Sequence, residues 1–391
     1  MSQSIRILFR EDFYDGQFSR TLTAAYAGMA DLGEAFATAH TIGKPTPDAW
    51  HEAWHRLAST TMASLAVAEA AGHTESVRSL GLRASEYFRQ SYFFLRHDLS
   101  DSRLLAGYHG QVAAFAKALP LTAPFAAQFS IPYETTTIKG YFFSADAGPV
   151  ARPTIVFPSG YDSTAEEGWN YAPAALARGY NVVSFEGPGQ GGTLYEQGLF
   201  FRPDFNAVLT PLIDLLEMNP RVDNDAIVLI GRSFGGYLAP QAATVEHRLA
   251  ALVCDPGQPD MAALLPKGVA AKAAAPMIAT EMHLDPNKRE FFGARMASHG
   301  VHTPEAYFAE LHRYTMIDKA RDIACPTLVI ACEGDPVGGN GSSLASAMGD
   351  RATLKTLTIA EGAGGHCGWL GQRVWEDVVY GWLQDTLARA H

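Results

Sequence analysis

The chain has no clustered run of lysine or arginine. Its 30 Lys+Arg are outnumbered by 41 Asp+Glu, for a formal net charge of −11. Binding a phosphate backbone requires concentrated positive charge, so nucleic acid is excluded as the expected partner. It also lacks any apolar stretch long enough to span a bilayer. The opening Met1-Ser2-Gln3-Ser4-Ile5-Arg6 has no apolar region of the signal-peptide kind, so the expectation is a cytoplasmic protein with no membrane partner. Cysteine is scarce: Cys254, Cys325, Cys332 and Cys367 all fall in the C-terminal half, and none forms a C-x-x-C pair. Reduced, mostly buried thiols are expected rather than a disulfide framework. Internal repeats and low-complexity tracts are absent. What remains is 391 residues, 47% of them hydrophobic, enough for two domains or one large decorated domain with a substantial core.

Two textures divide the chain. Residues 1–125 read as an all-helical region, with Ala-rich amphipathic runs over 21–39, 48–71, 76–95 and 102–119. Gly43-Lys44-Pro45, Ala71-Gly72-His73, Pro120 and Pro124 break these runs, and Thr46-Pro47-Asp48 suits a helix start. Trp50, Trp54, Tyr87, Phe88, Tyr92, Phe93 and Phe94 make the region dense in aromatics. They suit ordinary helix packing, or a cap whose aromatic face roofs an apolar pocket. Residues 126–391 alternate strand and helix. Strands are expected at 128–134, 136–144, 154–157, 180–185, 227–230, 249–254, 327–331 and 354–359, with helices at 169–178, 204–218, 236–245 and 373–388. That alternation predicts an α/β fold, a mostly parallel sheet with helices on both faces. Residues 258–319 interrupt the pattern with Pro, Met and short helical pieces, and read as a lid-like insertion above the strand ends, beside the cap.

The strongest chemical signal is Gly231-Arg232-Ser233-Phe234-Gly235-Gly236, directly after the apolar strand Ile227-Val228-Leu229-Ile230. G-x-S-x-G between a strand and a helix is the nucleophile elbow, a strained turn that lifts a serine hydroxyl above the sheet. Side chains at 231 and 235 are expected to obstruct the close strand–helix approach. A serine hydroxyl is a weak nucleophile and needs a base, which in turn needs an orienting carboxylate. On this architecture the order is serine, acid, histidine. Asp335, in the turn Cys332-Glu333-Gly334-Asp335-Pro336, is the expected acid; Asp255, after the preceding strand, is the rival, and Glu333 lies closer to the strand end. His366, in Gly364-Gly365-His366-Cys367-Gly368 before the last helix, is the expected base. An oxyanion needs two backbone N–H groups. Phe234 supplies one; Tyr161 or Gly160, in Pro158-Ser159-Gly160-Tyr161-Asp162, supplies the other, Pro158 having no N–H.

Two rival motifs need weighing. His51-Glu52-Ala53-Trp54-His55 matches H-E-x-x-H on an expected helix, and Glu75 could add a third zinc ligand, which would make a zinc peptidase. Trp54 inside the motif favours helix packing, and no supporting strand is in prospect, so no metal site is expected. Glu186-Gly187-Pro188-Gly189-Gln190-Gly191-Gly192 lacks the Gly-Lys-Ser/Thr ending of a phosphate loop and reads as a tight turn bordering the site.

Taken together, the helical N-terminal region, Pro158 to Glu167, Phe185 to Gly191, Gly231 to Gly236, Ala324-Cys325-Pro326-Thr327 and Gly365-His366-Cys367 resemble the α/β-hydrolases typified by dihydroxypseudooxynicotine hydrolase. That family includes carbon–carbon bond hydrolases, fungal members that shorten polyketide chains and others that transfer polyketide acyl groups. The resemblance implies a triad of Ser233, Asp335 and His366, a helical cap over the pocket and a homodimer. Glu186 stands where the family usually has aspartate, and Ser159-Gly160-Tyr161 where Gly-Gly-Leu is common. The expected function is therefore a serine hydrolase without cofactor, acting on a small molecule, by retro-Claisen cleavage of an aromatic or polyketide-like ketone. A carboxylesterase, an amidase or an acyltransferase would use the same acyl-enzyme.

Overall fold

The computed structural model describes residues 6–266 and 269–389. Met1–Ile5, in the opening segment considered above, and Lys267 and Gly268, inside the expected insertion, lie outside the described residues.

Eight strands form one sheet: β1 (Phe125–Tyr133), β2 (Thr136–Ser144), β3 (Arg152–Pro158), β4 (Asn181–Phe185), β5 (Val222–Arg232), β6 (Ala251–Asp255), β7 (Thr327–Cys332) and β8 (Ala352–Leu357). Their order is β1-β2-β4-β3-β5-β6-β7-β8. The β1–β2 and β2–β4 pairings are antiparallel and all the others parallel. The central strands are apolar throughout because both faces are covered. Ile155, Val182, Val228, Ile230, Val253 and Leu328 enter one core cluster, while Val156, Val183, Ile227, Leu229, Leu252 and Val329 enter the other. The period of two sends neighbouring residues to opposite sides. The edge strand β8 is exposed along most of its length, so it lacks this signature. It begins and ends two residues earlier than its apolar residues suggest.

Ahead of the sheet come five helices, α1 (Asp12–Ala24), α2 (Leu32–Ile42), α3 (Pro47–Ala70), α4 (Thr74–Tyr92) and α5 (Ser102–Ala118). The single helix expected over 21–39 is two. Gly28 takes a left-handed φ of 73°, and the Asp31 side chain accepts the Glu34 N–H at 3.0 Å to restart the chain as a helix. Alanine on both sides conceals the break in the sequence. Thr46 caps α3 by accepting the Ala49 N–H at 3.2 Å, with Pro47 in the first turn.

Trp50, Trp54, Tyr87, Phe88, Phe93 and Phe94 are buried in the same cluster that lines one face of the sheet. They pack helix against helix, and the roof of the cavity is built from other residues. Residues 258–319 contribute the helices Val269–Leu284, Pro286–Ser298 and Pro304–Leu311. The second is tied to the N-terminal helices: buried Glu290 accepts the His97 N–H at 3.1 Å and meets His97 Nδ1 at 2.9 Å. No helix among the described residues is long and apolar enough to cross a membrane.

Candidate active site

In open parallel sheets, functional groups gather where the strands' carboxyl ends meet. β5 runs out at Arg232, Ser233 turns at φ 55°, and the helix Gly235–Ala243 begins. The Ser233 N–H is anchored on the Asp255 carbonyl at 2.7 Å. The turn is closed by backbone approach: a Cβ on Gly231 would overlap the Gly235 carbonyl, and one on Gly236 the Pro256 carbonyl. At Gly235 an added Cβ meets only the Pro158 carbonyl oxygen, at 3.8 Å. The steric requirement therefore falls on 231 and 236, not on 231 and 235 as the motif alone suggests.

Three loops bring Ser233, His366 and Asp335 into one hydrogen-bonded chain. His366 Nε2 lies 2.9 Å from Ser233 Oγ, and His366 Nδ1 lies 3.1 and 3.0 Å from the two Asp335 carboxylate oxygens. Asp335 is fixed in its turn by accepting the Val337 N–H at 2.9 Å. Burial opposes a charge on His366. The neighbouring Cys367 and the Asp335 carboxylate outweigh it, and the imidazole is held well above its ordinary range. The serine proton thus has an acceptor within reach, and the imidazolium so formed has a fixed counter-charge. Three of the four non-glycine residues with positive φ among the described residues, Ser233, Cys367 and Trp369, flank this chain. Strained backbone of this kind persists only where its surroundings enforce it.

Asp255 does not contact His366. It is fully buried at the end of β6 and accepts Trp375 Nε1–H at 2.7 Å. It also lies 3.5 Å from Arg232 Nε. Burial raises its carboxyl above the ordinary range, with Arg232 opposing. Arg232 in turn lies over the rings of Tyr171 and Trp375, at 4.6 and 4.4 Å, and donates to the Cys367 carbonyl. This group braces the His366 loop from below. Glu333 accepts the Ile359 N–H at 2.9 Å and likewise stays away from the histidine.

The Phe234, Gly160 and Tyr161 N–H groups make no hydrogen bond within the protein among the described residues. Gly160 lies against the nucleophile, since a Cβ there would come within 3.2 Å of Ser233 Cβ. Tyr161 stacks its ring on Phe234 at 4.1 Å. Its hydroxyl lies 2.5 Å from Nε2 of His299, whose Nδ1 is 3.1 Å from the Tyr314 hydroxyl. Burial pushes His299 down to about 3, so that imidazole is neutral. Gln190, within the glycine-rich turn, donates to the Ser159 and Gly160 carbonyls and holds this loop from the other side. Its place among glycines was the only sequence signal for that role.

Ser233 and His366 open onto a cavity of about 930 Å³. Its wall is shared by α1, the segment 157–171 that runs on from the end of β3, the segment 362–372 around His366 and the helix Pro286–Ser298, with Glu86 and Arg89 added from α4. Nothing in the sequence singled out these charged wall residues, because they come from helices remote in the chain. In the rival metal motif the His51 and His55 ring centres lie 5.3 Å apart. His51 Nδ1 lies 2.9 Å from the Ser91 carbonyl, and Glu75 accepts Arg78 Nε–H at 2.9 Å. No group of three or more His, Cys, Asp or Glu side chains among the described residues is placed to hold a metal ion. Of the four cysteines, all free, Cys254 and Cys325 are buried and Cys332 and Cys367 half-buried.

A model of the alpha/beta hydrolase family matches residues 155–379, more than half of the chain. The chain belongs to the alpha/beta hydrolase family. Hydrolase acrC of Aspergillus aculeatus is 34% identical over 266 residues, covering 63% of this chain and 62% of that relative. The 20-hydroxy-prefusarin hydrolase FUS2 of Gibberella moniliformis is 34% identical over 257 residues, covering 63% of this chain and 61% of FUS2. The match thus spans about three fifths of these relatives' length. Among solved structures, 2,6-dihydroxy-pseudo-oxynicotine hydrolase superposes with a TM-score of 0.77 at 23% identity, covering 94% of this alpha/beta hydrolase and 95% of the other chain. That likeness extends the shared fold over the helical region as well as the sheet.

Proposed function

We propose that this alpha/beta hydrolase is a serine hydrolase that cleaves a carbon–carbon bond next to a ketone in a small aromatic or polyketide-like substrate. The observation that carries the reading is the unbroken chain from Ser233 Oγ through His366 to Asp335 at the wall of a large cavity. His366 takes the Ser233 proton as the oxygen attacks the ketone carbon. The developing oxyanion rests on the amides of Phe234 and Tyr161, with Gly160 as the close-approach residue beside them. The carbon–carbon bond then breaks, its electron pair leaving on the α-carbon as an enolate. His366 returns its proton to that carbon, leaving an ester on Ser233. Water attacks the ester, His366 accepts the water's proton and passes it to the departing Ser233 oxygen, and a carboxylic acid is released. Asp335 holds the imidazole in the required tautomer throughout.

The carbon–carbon choice rests on the motif resemblance, because the same three residues also serve ester substrates. Incubation with an aryl 1,3-diketone and with the matching aryl ester tests it. The diketone is expected to give one carboxylic acid and one methyl ketone at the higher kcat/KM; cleavage of the ester alone would reassign the protein as an esterase. A homodimer is part of the proposal, and sedimentation of the full chain measures it.

The pH dependence follows from His366. It must be neutral to accept the serine proton, and it is held above its ordinary value of 6.5. Activity is therefore expected to rise with pH, with kcat/KM reaching half its plateau above pH 6.5. A half-point at or below that value would mean that Asp335 and Cys367 do not stabilise the imidazolium.

A further inference from the structure

The cavity wall holds six cationic side chains among the described residues: Arg6, Arg20, Arg89, Arg232, Lys288 and Arg295. Five have a carboxylate within 4.0 Å. Arg6 meets Asp12, Arg20 meets Glu167, Arg89 meets Glu86 and Glu167, Arg232 meets Asp255, and Lys288 meets Glu281. Arg295 alone among them has none among the described residues. Asp162 in the wall is ion-paired with Arg96 at 2.7 Å, and the Arg295 charge helps hold its carboxyl below the ordinary range without coming within 4.0 Å of it.

The guanidinium of Arg295 is nonetheless held in place. Its Nη1 donates to the Phe291 carbonyl at 2.9 Å. Its carbon lies 3.7 Å from the Phe291 ring centre and 5.2 Å from that of Tyr161. The helix that carries it ends at His299, which is fastened to the Tyr161 hydroxyl. An arginine has five N–H donors, and this one engages a single protein acceptor among the described residues. A half-buried, immobilised cation with spare donors on a cavity wall is costly unless an anion completes it, and a planar fork matches a carboxylate bidentately.

We infer that Arg295 binds a carboxylate of the substrate, so that the natural substrate is an acidic ketone whose anionic end lies against the helix Pro286–Ser298 while its carbonyl faces Ser233. Which end of the molecule reacts rests on the serine reading above; the carboxylate site itself does not. The wall also carries nine carboxylates against six Lys/Arg cations among the described residues, so a ligand with a single negative charge, placed at Arg295, is better tolerated there than a phosphate dianion or a polyanion.

Calorimetry on the full chain carrying Ser233→Ala tests this without turnover, using 4-phenylbutyrate and its neutral analogue 4-phenylbutanamide. The carboxylate is expected to bind at least about tenfold more tightly than the amide, with Arg295→Gln reducing that ratio to within about threefold and Arg295→Lys preserving part of it. Equal affinity for the two compounds, a ratio untouched by Arg295→Gln, or binding of neither at millimolar concentration would each overturn the inference. Should Arg295→Gln fail to fold, the comparison of the two compounds and the Arg295→Lys variant still decide. Fluorophosphonate labelling of the unmodified protein reports on Ser233 alone, so either reading can fail while the other stands.

Discussion

Changing Ser233 to alanine is expected to lower turnover by at least about a thousandfold and to abolish fluorophosphonate labelling, with circular dichroism and the thermal midpoint unchanged. The fold should survive because the substitution removes one oxygen and nothing else. Alanine has the same Cβ as serine, so the strain of the positive φ at 233 is the same in both. The anchoring hydrogen bond of Ser233 to the Asp255 carbonyl uses the backbone N–H, which alanine retains. Turnover should collapse because no other hydroxyl lies within hydrogen-bond reach of His366 Nε2 among the described residues. Binding in the cavity and the oxyanion amides would persist, so some acceleration over water should remain. Steady-state kinetics with the preferred ketone measures the loss. A variant within tenfold of wild type would remove Ser233 from the mechanism.

Asparagine at 335 and asparagine at 255 are expected to behave in opposite ways. Asp335→Asn should reduce kcat by roughly ten-thousandfold at neutral pH with little change in stability. The side chain keeps its shape, but an amide facing His366 Nδ1 no longer fixes the tautomer that leaves Nε2 free for the serine proton. Asp255→Asn should leave turnover per folded molecule within about tenfold and lower the thermal midpoint instead, because buried Arg232 loses its counter-charge. Asp255 reaches Arg232 and Trp375, not the imidazole. Kinetics and thermal melts on both variants discriminate: a catalytic collapse at 255 with normal turnover at 335 would reverse the assignment.

The elbow was legible because its requirements are local: an apolar strand, then a serine among glycines, then a helix. Asp335 and His366 were legible as candidates by order, because this architecture places the acid and the base after later strands. What sequence order could not do was separate Asp335 from Asp255, since both follow strands that end at the same edge. In the structure the turn carrying Asp335 brings it, rather than Asp255, within hydrogen-bond distance of His366. The helical region was legible in texture and misleading in detail: Gly28 breaks an alanine-rich run with no proline to announce it. Gly235, read as sterically required, has room for a side-chain carbon, whereas Gly236 does not. The pentapeptide motif marks the turn without showing which backbone presses on it. Least legible was the cavity wall. Arg20, Arg89 and Arg295 lie far apart in the chain, and only packing shows which of their charges are cancelled.

Between the helical region and the sheet runs a buried polar ladder. The Tyr108 hydroxyl donates to Glu186 at 2.6 Å, and Lys139 Nζ lies 2.6 Å from that hydroxyl, 2.7 Å from Glu166 and 3.0 Å from Glu186. Beside it, Phe115 of α5 packs edge-on against Tyr141 of β2 at 5.0 Å. Separating the two parts would break the buried Arg89–Glu167 ion pair that crosses the boundary, at about 3–5 kcal/mol, and wet a row of aromatic side chains at roughly 1.5–3 kcal/mol each. Those terms together rival the whole stability of an ordinary domain, about 5–15 kcal/mol. The helices therefore do not hinge away like a door to admit a ligand. A ligand is expected instead to reach Ser233 through the mouth the cavity already has, with the helices still docked on the sheet.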